Sequence, residues 1–450
     1  MKSEKQYASV FELNGRPKFS EALPLAIQHI IAMIVGCVTP SIIIASAAGL
    51  NSADRVILIQ AGMTMSALST FLQLFPIGKK NGFQLGSGLP MIMGVSFAYL
   101  ASMQAIVETN DIATILGSMI VGGAVAAVVG LSMKKIQKFF PPLIAGTVVF
   151  TIGLSLYPTA VRYMAGGSGN PEFGSWQNWT VALITLAIVT ILNHFSKGFL
   201  KLASILVGMA VGYAIAYAMG MVDFSGVSAA GYFQLPQFMH FGIRFDISSC
   251  VAIGLLFAIN SVQAIGDFSA TTTGGMNRQP TGRELQNGVV GYGLSNIVSA
   301  FFGGLPTATY SQNVGIVATT KVINRSILGL SGIILLLAGL IPKLSALLTT
   351  IPSCVLGGAT ISVFASIAIT GIKLITTEEL NYRNASIVGL AVALGMGITQ
   401  VTDCFSQFPD WVSTVFGKAP TVVATIVAIL LNQILPKPKE AVSEEPTAAK

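Results

Sequence analysis

The segment Gln312-Asn313-Val314-Gly315-Ile316-Val317-Ala318-Thr319-Thr320-Lys321 is the most informative part of this chain, and it comes shortly after a break at Gly303-Gly304-Leu305-Pro306. Two adjacent amide side chains therefore stand in a hydrophobic segment that glycine and proline interrupt. Polar groups and irregular backbone are costly in lipid unless they line a cavity or bind something. The segment predicts a binding site at membrane depth.

The composition around this segment is that of a polytopic membrane protein. Of the 450 residues, 53% are hydrophobic and only 10% are charged, and the mean hydropathy is +0.74. Soluble domains carry about 25% charged residues, whereas a membrane-crossing helix needs about 20 apolar residues. Because the first 22 residues are polar and the first apolar run is long, we expect no cleaved signal peptide.

Fourteen apolar segments are predicted to cross the membrane. The chain is therefore expected to be an all-α, multi-pass protein of the cell membrane. Both of its termini are expected in the cytoplasm. The segments lie near residues 23–48, 53–77, 87–105, 112–133, 141–158, 179–196, 199–221, 247–272, 284–303, 306–320, 326–347, 352–372, 385–402 and 419–436.

The distribution of basic residues sets this orientation. Alternate loops place 20 Lys and Arg residues on one side and five on the other, as the positive-inside rule predicts. The net charge of +7 therefore reflects membrane topology, and we expect no nucleic acid partner. The five external residues are Arg55, Arg162, Arg244, Lys343 and Lys418.

Two pairs of similar motifs indicate an internal duplication. Gly88-Leu89-Pro90 recurs as Gly304-Leu305-Pro306 at an offset of 216 residues, which places Ser96 opposite Gln312. Both tripeptides open short, interrupted apolar segments. Two seven-span halves follow, and because seven is odd the second half must be inverted, with the broken segments meeting at the binding site. A second pair, 142–146 and 352–358, has an offset of 210 residues.

Asp267 is the acidic residue that the pattern places well inside a span. It lies four residues after Gln263, so both side chains project from one helical face. One interpretation is a cap or pair near the cytoplasmic helix end. The other is a hydrogen-bonding partner behind Gln263 and a proton or cation relay, because buried carboxylates in membranes mark ion or substrate paths.

Amide and aromatic side chains supply the candidate ligand contacts. Gln312 and Asn313 each offer one acceptor and two donor hydrogens, which match the edge of a purine or pyrimidine, although amides also join membrane helices. Ser96 and Phe97 occupy the equivalent place in the first half. Extended backbone there offers hydrogen bonds while Phe97 stacks on a flat ring, or else Phe97 is ordinary packing. His29 is expected to support the site from behind.

Motifs for enzymatic chemistry are not found in the sequence. There is no phosphate-binding Walker loop, no nucleophile elbow and no metal-spaced cluster of His and Cys, so we expect no catalytic residues, no metal and no cofactor. The four cysteines are scattered through or beside apolar segments, and we expect them to be buried thiols. They are Cys37, Cys250, Cys354 and Cys404.

Four motifs occur along the chain in the order typical of one family of membrane transporters. The ten-residue signature Gln312-Asn313-x-Gly315-x-x-x-x-Thr320-Lys321 is the most specific. The others are Gln28-His29, Gly86-Ser87-Gly88 with Ser96-Phe97, and Gly266-Asp267. Together they resemble the nucleobase–ascorbate transporter family, also called nucleobase–cation symporter-2, in its xanthine and uric acid permease branch.

The resemblance implies a seven-plus-seven inverted repeat with a core domain of spans 1–4 and 8–11 and a gate domain of spans 5–7 and 12–14. Spans 3 and 10 would each contain a short strand. The implied divisions are a cytoplasmic tail 1–22, core 23–138, gate 139–245, core 246–347, gate 348–436 and a disordered cytoplasmic tail 437–450.

The resemblance also implies a purine substrate, imported by proton or sodium symport with alternating access, and a homodimer in lipid. Substrate contacts would come from Gln263, Gln312, Ser311 and the backbone at Ser96–Phe97. Proton-coupled members commonly have glutamate where this chain has Gln263, and often an aspartate in the ninth span, where Tyr292 or Asn296 stands.

The missing carboxylate has two consequences that we treat as hypotheses. The pocket is expected to tolerate an anionic purine, and proton coupling has to depend on Asp267 or another group. Alternatives are a carrier for other purines or uracil, an inorganic-anion exchanger, although no basic residue is predicted at depth, and a channel, which needs a continuous polar path.

Overall fold

The computed structural model describes residues 8–78, 84–133, 141–167, 170–401, 403–409, 412–417 and 419–436. Helices dominate this part of the chain. Several expectations fall outside it, including the disordered tail 437–450 and the basic loops that contain Lys79, Lys80 and residues 134–140.

The helices are numbered in chain order. The first half contributes α1 Phe19–Ala47, α2 Ser52–Leu74, α3 Leu100–Thr109, α4 Ile112–Leu131, α5 Pro142–Met164, α6 Trp176–Phe195, α7 Gly198–Leu202, α8 Ser204–Ala218 and α9 Ser225–Ala229. The second half contributes α10 Ile247–Ala270, α11 Gly282–Phe301, α12 Ser311–Thr320, α13 Arg325–Gly339, α14 Pro342–Thr349, α15 Ser353–Ile375, α16 Tyr382–Gln400 and α17 Pro420–Ile434.

Seven helices of the described part are long and apolar enough to cross a membrane, or eight if α13 and α14, which meet at 80°, form one span. The seven are α1, α2, α4, α5, α6, α15, and α10 with its continuation to Gly275. Two further apolar helices, α8 and α17, have 15 residues each. The protein is therefore a multi-pass membrane protein.

Short strands interrupt two of the apolar segments. β1 Ile77–Gly78 pairs with β2 Gln84–Leu85, and β3 Met93–Val95 pairs antiparallel with β4 Thr307–Thr309. In the second pair Gly94 lies opposite Ala308. Both β3 and β4 are completely buried. Their backbone groups bond to each other and to the side chains of Thr70 and Asn296, so they are satisfied without water.

Each of these buried strands leads directly into a helix of 10 residues. A 3₁₀ turn Phe97–Tyr99 connects β3 to α3, and Tyr310 connects β4 to α12. The segments near 87–105 and 306–320 are therefore part strand and part helix. Because the strands pair with each other, the two helices begin near the same point in the molecule.

The helices pack in two groups. In the first, which comprises α1–α4 and α10–α14, α13 packs on α2 and α11 packs on α4. In the second, which comprises α5, α6, α8 and α15–α17, the most extensive contact joins α5 to α15. Glycines make that contact close: a Cβ at Gly153 would lie 2.5 Å from the backbone nitrogen of Ala368, and one at Gly371 would lie 2.3 Å from that of Phe150.

Candidate functional site

A cavity of about 280 Å³ lies where the two helix groups face each other at the β3–β4 pair. Its first wall comes from the strand ends and helix starts of the first group, together with α10. Its second wall comes from α5 and α15. The polar residues that the sequence predicts and that line this cavity are Ser96, Gln263, Ser311 and Gln312, and Phe97 lines it as well.

Helix starts give this cavity its electrostatic character. α12 begins at Ser311 after the extended residue Tyr310, and the first N–H groups of a helix have no acceptor within it. The 3₁₀ turn at Phe97 starts the α3 segment at the same cavity. Aligned peptide dipoles make such helix starts partly positive. The cavity therefore favours an electron-rich or anionic molecule without a basic side chain.

Asn313 does not line the cavity, in contrast to the prediction that it contacts a ligand. Its side chain is buried, and its amide donates to both Nδ1 and the backbone oxygen of His29 at 3.0 Å. One residue along a helix is a rotation of about 100°, which turns Asn313 away from the cavity that Gln312 faces. The pair joins α12 to α1, as the helix-joining alternative predicted.

His29 does not line the cavity, and the supporting role that the sequence predicted for it stays a prediction. It is buried on α1 and contacts Asn313 through its ring. The ring nitrogen accepts in this arrangement, because the amide of Asn313 also donates to the backbone oxygen of His29.

Asp267 holds the junction between β4 and α12. Its carboxylate accepts hydrogen bonds from the hydroxyl groups of Thr309, at 2.5 Å, and Ser311, at 2.8 Å. The side chain is buried and does not line the cavity. The carboxylate does not bond to Gln263, and its partners stand in β4 and at the start of α12 rather than at the end of its own helix. The role as a proton or cation relay stays a prediction.

The backbone N–H of Ser96 already has a hydrogen-bond acceptor within the protein. Ser96 is extended, but its N–H donates to the carbonyl of Pro306 at 2.9 Å, and its hydroxyl accepts from the N–H of Ala98. The prediction that the N–H of Ser96 is free to bind a ligand is therefore wrong. Phe97 lines the cavity and its ring packs edge-on against Phe364 with centroids 5.0 Å apart. Stacking of this ring on a ligand stays a prediction.

Tyr310 is a site residue that the sequence argument missed. Its hydroxyl donates to the carbonyl of Val95 at 2.7 Å, so it ties the start of α12 to the end of β3. Its ring fills the space above two glycines: a Cβ at Gly94 would lie 2.5 Å from the ring, and one at Gly36 would lie 3.1 Å from it. Gly94, a glycine within the apolar run before Ser96, is the sequence feature that could have indicated a bulky side chain packed at this point.

Tyr292 and Asn296 of α11 hold β4 and the 3₁₀ turn that follows β3. Asn296 accepts from the backbone N–H of Thr307 at 2.8 Å and donates to its carbonyl at 3.2 Å. Tyr292 hydrogen-bonds Tyr99 through the two hydroxyl groups. Both side chains are completely buried, so neutral hydrogen bonds take the place where the family often has a carboxylate.

Comparison with known proteins identifies the family. A profile described as "Permease family" matches residues 20–404, which is most of the chain. The chain belongs to this family, the nucleobase–ascorbate transporters. The permease is thus a transporter and not an enzyme.

Several curated relatives resemble the permease over nearly their whole length. The xanthine permease of Bacillus subtilis is 34% identical over 420 residues, covering 93% of this chain and 94% of the relative. Uric acid permease PucK of the same organism is 34% identical, covering 92% and 95%. Xanthine permease XanQ of Escherichia coli K12 is 31% identical, covering 95% and 94%.

Solved structures share the fold of the permease. The transmembrane domain of the cyanobacterial bicarbonate transporter BicA has a TM-score of 0.59 and 16% identity, covering 91% of this chain and 98% of that domain. Murine Slc26a9, an anion transporter in its inward-facing state, has a TM-score of 0.59 and 12% identity, covering 91% and 68%. At these identities the likeness concerns the fold alone.

Proposed function

We propose that the permease carries a purine nucleobase, xanthine or uric acid, across the cell membrane. The observation that carries this proposal is the cavity itself, in which the carboxamides of Gln263 and Gln312 lie on a wall with two helix starts and the ring of Phe97. Amides recognise the alternating donors and acceptors of a purine edge, and an aromatic ring packs on its face. Relatives named as xanthine and uric acid permeases support the same substrate class.

Transport is proposed to occur by alternating access. The first helix group corresponds to the core domain and the second to the gate domain, and movement between them would expose the cavity to each side in turn. We propose fourteen crossings in two inverted halves, with both termini in the cytoplasm. Proton or sodium symport drives import in this proposal, with Asp267 and His29 beside the site as the candidate coupling groups.

A second candidate, an inorganic-anion exchanger, has one observation in its favour. The helix starts at Ser311 and Phe97 are partly positive, which suits a small anion as well as anionic urate. The two amides distinguish these ligands, because a small anion offers no donor edge for them to recognise. The same helix starts support urate as the purine, since no carboxylate lines the cavity.

Uptake into proteoliposomes tests the function directly. Labelled xanthine, urate, guanine, uracil and bicarbonate would be compared with and without imposed pH and sodium gradients. Saturable uptake of xanthine or urate that responds to one gradient is expected. Bicarbonate uptake without purine uptake would support the exchanger instead, and purine uptake that ignores both gradients would exclude symport.

Gln312→Ala is expected to raise the KM for purine about tenfold or more. The change removes hydrogen bonds of about 1 kcal/mol each and leaves the ligand edge without a partner. Gln400→Ala is the matched control, because Gln400 is an exposed amide at the end of α16. Initial uptake rates against purine concentration give the KM, and equal values for both variants would contradict the proposed contact.

Gln263→Glu is expected to make urate transport more dependent on pH. The new carboxylate would be ionised at high pH and repel the urate anion, so the apparent affinity should fall as the pH rises and recover when the carboxyl is protonated. Neutral xanthine at acidic pH should be affected much less. Competition by urate for xanthine uptake across pH measures this difference, and an unchanged urate profile would refute the charge argument.

A homodimer in the membrane stays part of the proposal. α16 exposes a ladder of small residues with a spacing of four, flanked by exposed leucines, and such ladders let membrane helices approach closely. Cysteine cross-linking at Gly389 in native membranes tests this face. The ladder consists of Ala385, Gly389, Ala393 and Gly397.

A further inference from the structure

A second, wider cavity of about 580 Å³ lies between α6 and α15. It shares two lining residues with the candidate binding cavity, Ser366 and Thr370 of α15. Both side chains are exposed. The two cavities are therefore adjacent along one face of α15, and these hydroxyl groups line both of them.

The hydrogen bonds of Ser366 and Thr370 define what the two hydroxyls offer to a ligand. Ser366 donates to the carbonyl of Ser362 at 2.9 Å, and Thr370 donates to the carbonyl of Ser366 at 2.8 Å. Each proton is thus used within the helix, so the remaining lone pairs are acceptors. A purine carries N–H donors on more than one edge, and these acceptors lie on the wall that faces Gln263 and Gln312.

Charge increases along the same face of α15. Lys373 lies one turn beyond Thr370 and lines the wider cavity together with Asn193 and His194 of α6. Lys373 is exposed, as is His194 in the last turn of its helix. An exposed lysine at the mouth of a cavity raises the local concentration of an anion. The wider cavity therefore suits a polar, electron-rich molecule such as a purine anion.

Away from this end, the two helix groups also contact each other beside an apolar cavity of about 210 Å³. Near the other end of α5, the hydroxyl of Tyr163 donates to the carbonyl of Ile43 in α1 at 3.4 Å. Tyr163 and the adjacent Met164 are buried. Lys373 stands at the opposite end of the region, which the positive-inside rule assigns to the cytoplasm.

We propose that α15 supplies Ser366 and Thr370 as direct purine contacts, and that these hydroxyls with Lys373 form the route between the binding site and the cytoplasm. This inference rests on the proposed function, and it adds a recognition surface on the second helix group that the motifs do not contain. The purine is held between amides on one wall and hydroxyl acceptors on the other, and it leaves past Lys373.

Thr370→Val tests the contact, because it replaces a hydroxyl with a methyl group of similar size. We expect the KM for purine presented from the Lys373 side to rise about fivefold, as for the loss of one neutral hydrogen bond. Ser366→Ala should have a similar effect. Thr376→Val is the matched control, since Thr376 is an exposed hydroxyl on the end of the same helix outside both cavities. Equal KM values for Thr370→Val and the control would overturn the contact.

Lys373→Gln tests the route separately from the contact. The KM for urate should rise about threefold from the Lys373 side, and the rise should shrink at high salt because screening weakens exposed charges. Proteoliposomes with one orientation allow substrate to be presented from each side. A KM increase of the same size from both sides would refute a route specific to this end.

Cysteine labelling follows the path without relying on transport rates. Ser366→Cys and Thr370→Cys would be made in a background with both Cys250→Ser and Cys404→Ser. Cys404 is exposed and Cys250 is half-buried, so the expectation of four buried thiols is confirmed only for Cys37 and Cys354. A membrane-impermeant thiol reagent should label both positions from the Lys373 side, and xanthine should protect them. Labelling without protection, or from the other side only, would overturn this inference, whereas a wild-type protein that carries no purine would overturn the proposed function.

Discussion

Asp267→Asn is expected to preserve the fold and reduce the initial rate of purine uptake at least about tenfold. The carboxylate accepts hydrogen bonds from both Thr309 and Ser311, whereas an amide has one acceptor atom and presents N–H groups to the second hydroxyl. A buried polar group left without a partner costs about 1–3 kcal/mol, and 1.4 kcal/mol corresponds to a factor of ten. The start of α12, which positions Gln312, would lose its anchor.

The control for this prediction is Asp111→Asn. Asp111 also accepts hydrogen bonds from the N–H and hydroxyl of Thr114, and a longer one from Arg244 at 3.3 Å, but it caps α4 at an exposed position outside the cavity. Uptake by this variant should remain close to that of the wild type at equal protein amounts. If Asp267→Asn also transported normally, the carboxylate would be neither an anchor nor a coupling group, and both roles would have to be abandoned.

Gly94→Ala is expected to have the second large effect, a loss of purine binding together with a lower Tm. The new Cβ would lie 2.5 Å from the ring of Tyr310 and 2.9 Å from its hydroxyl-bearing carbon. β3 cannot move away, because Gly94 lies in the centre of its pairing with β4. The ring has to shift instead, which breaks the hydrogen bond to Val95, and such overpacking typically costs about 1–3 kcal/mol.

Thermal unfolding in detergent, with and without xanthine, measures this prediction. Gly315→Ala is the control, because nothing lies within 4 Å of a Cβ at that position of α12. Alanine is also a better helix former than glycine, so its Tm should be equal or higher. A Gly94→Ala protein with wild-type Tm and normal stabilisation by xanthine would show that Tyr310 does not hold the site.

Sequence reasoning located the site because polar residues are rare at membrane depth. The amides of Gln263 and Gln312 stood out against an apolar background, and the repeated Gly-Leu-Pro motif connected the two broken segments that the β3–β4 pair joins. Asn313 was misplaced for a geometric reason. Which of two adjacent amides faces the cavity depends on where α12 begins, and the pattern does not fix that residue.

The residues of the second wall were beyond this kind of reasoning. Ser366 and Thr370 are ordinary in an apolar helix, since a hydroxyl that donates to its own backbone is inexpensive in a membrane. Only the position of α15 opposite the first helix group brings Ser366 and Thr370 to the cavity that we propose holds the ligand. The same holds for Tyr310, whose role depends on contact with a strand from the other half of the chain.

The pairing of β3 with β4 also has a consequence for how the protein is made. Val95 and Tyr310, which the paired strands bring together, are 215 residues apart in sequence. At about 5–20 residues per second, a ribosome needs roughly ten to forty seconds to reach the second strand. During that interval the edge of β3 has no partner, so the half-finished chain has to be shielded from lipid by the translocation machinery or by an insertion chaperone.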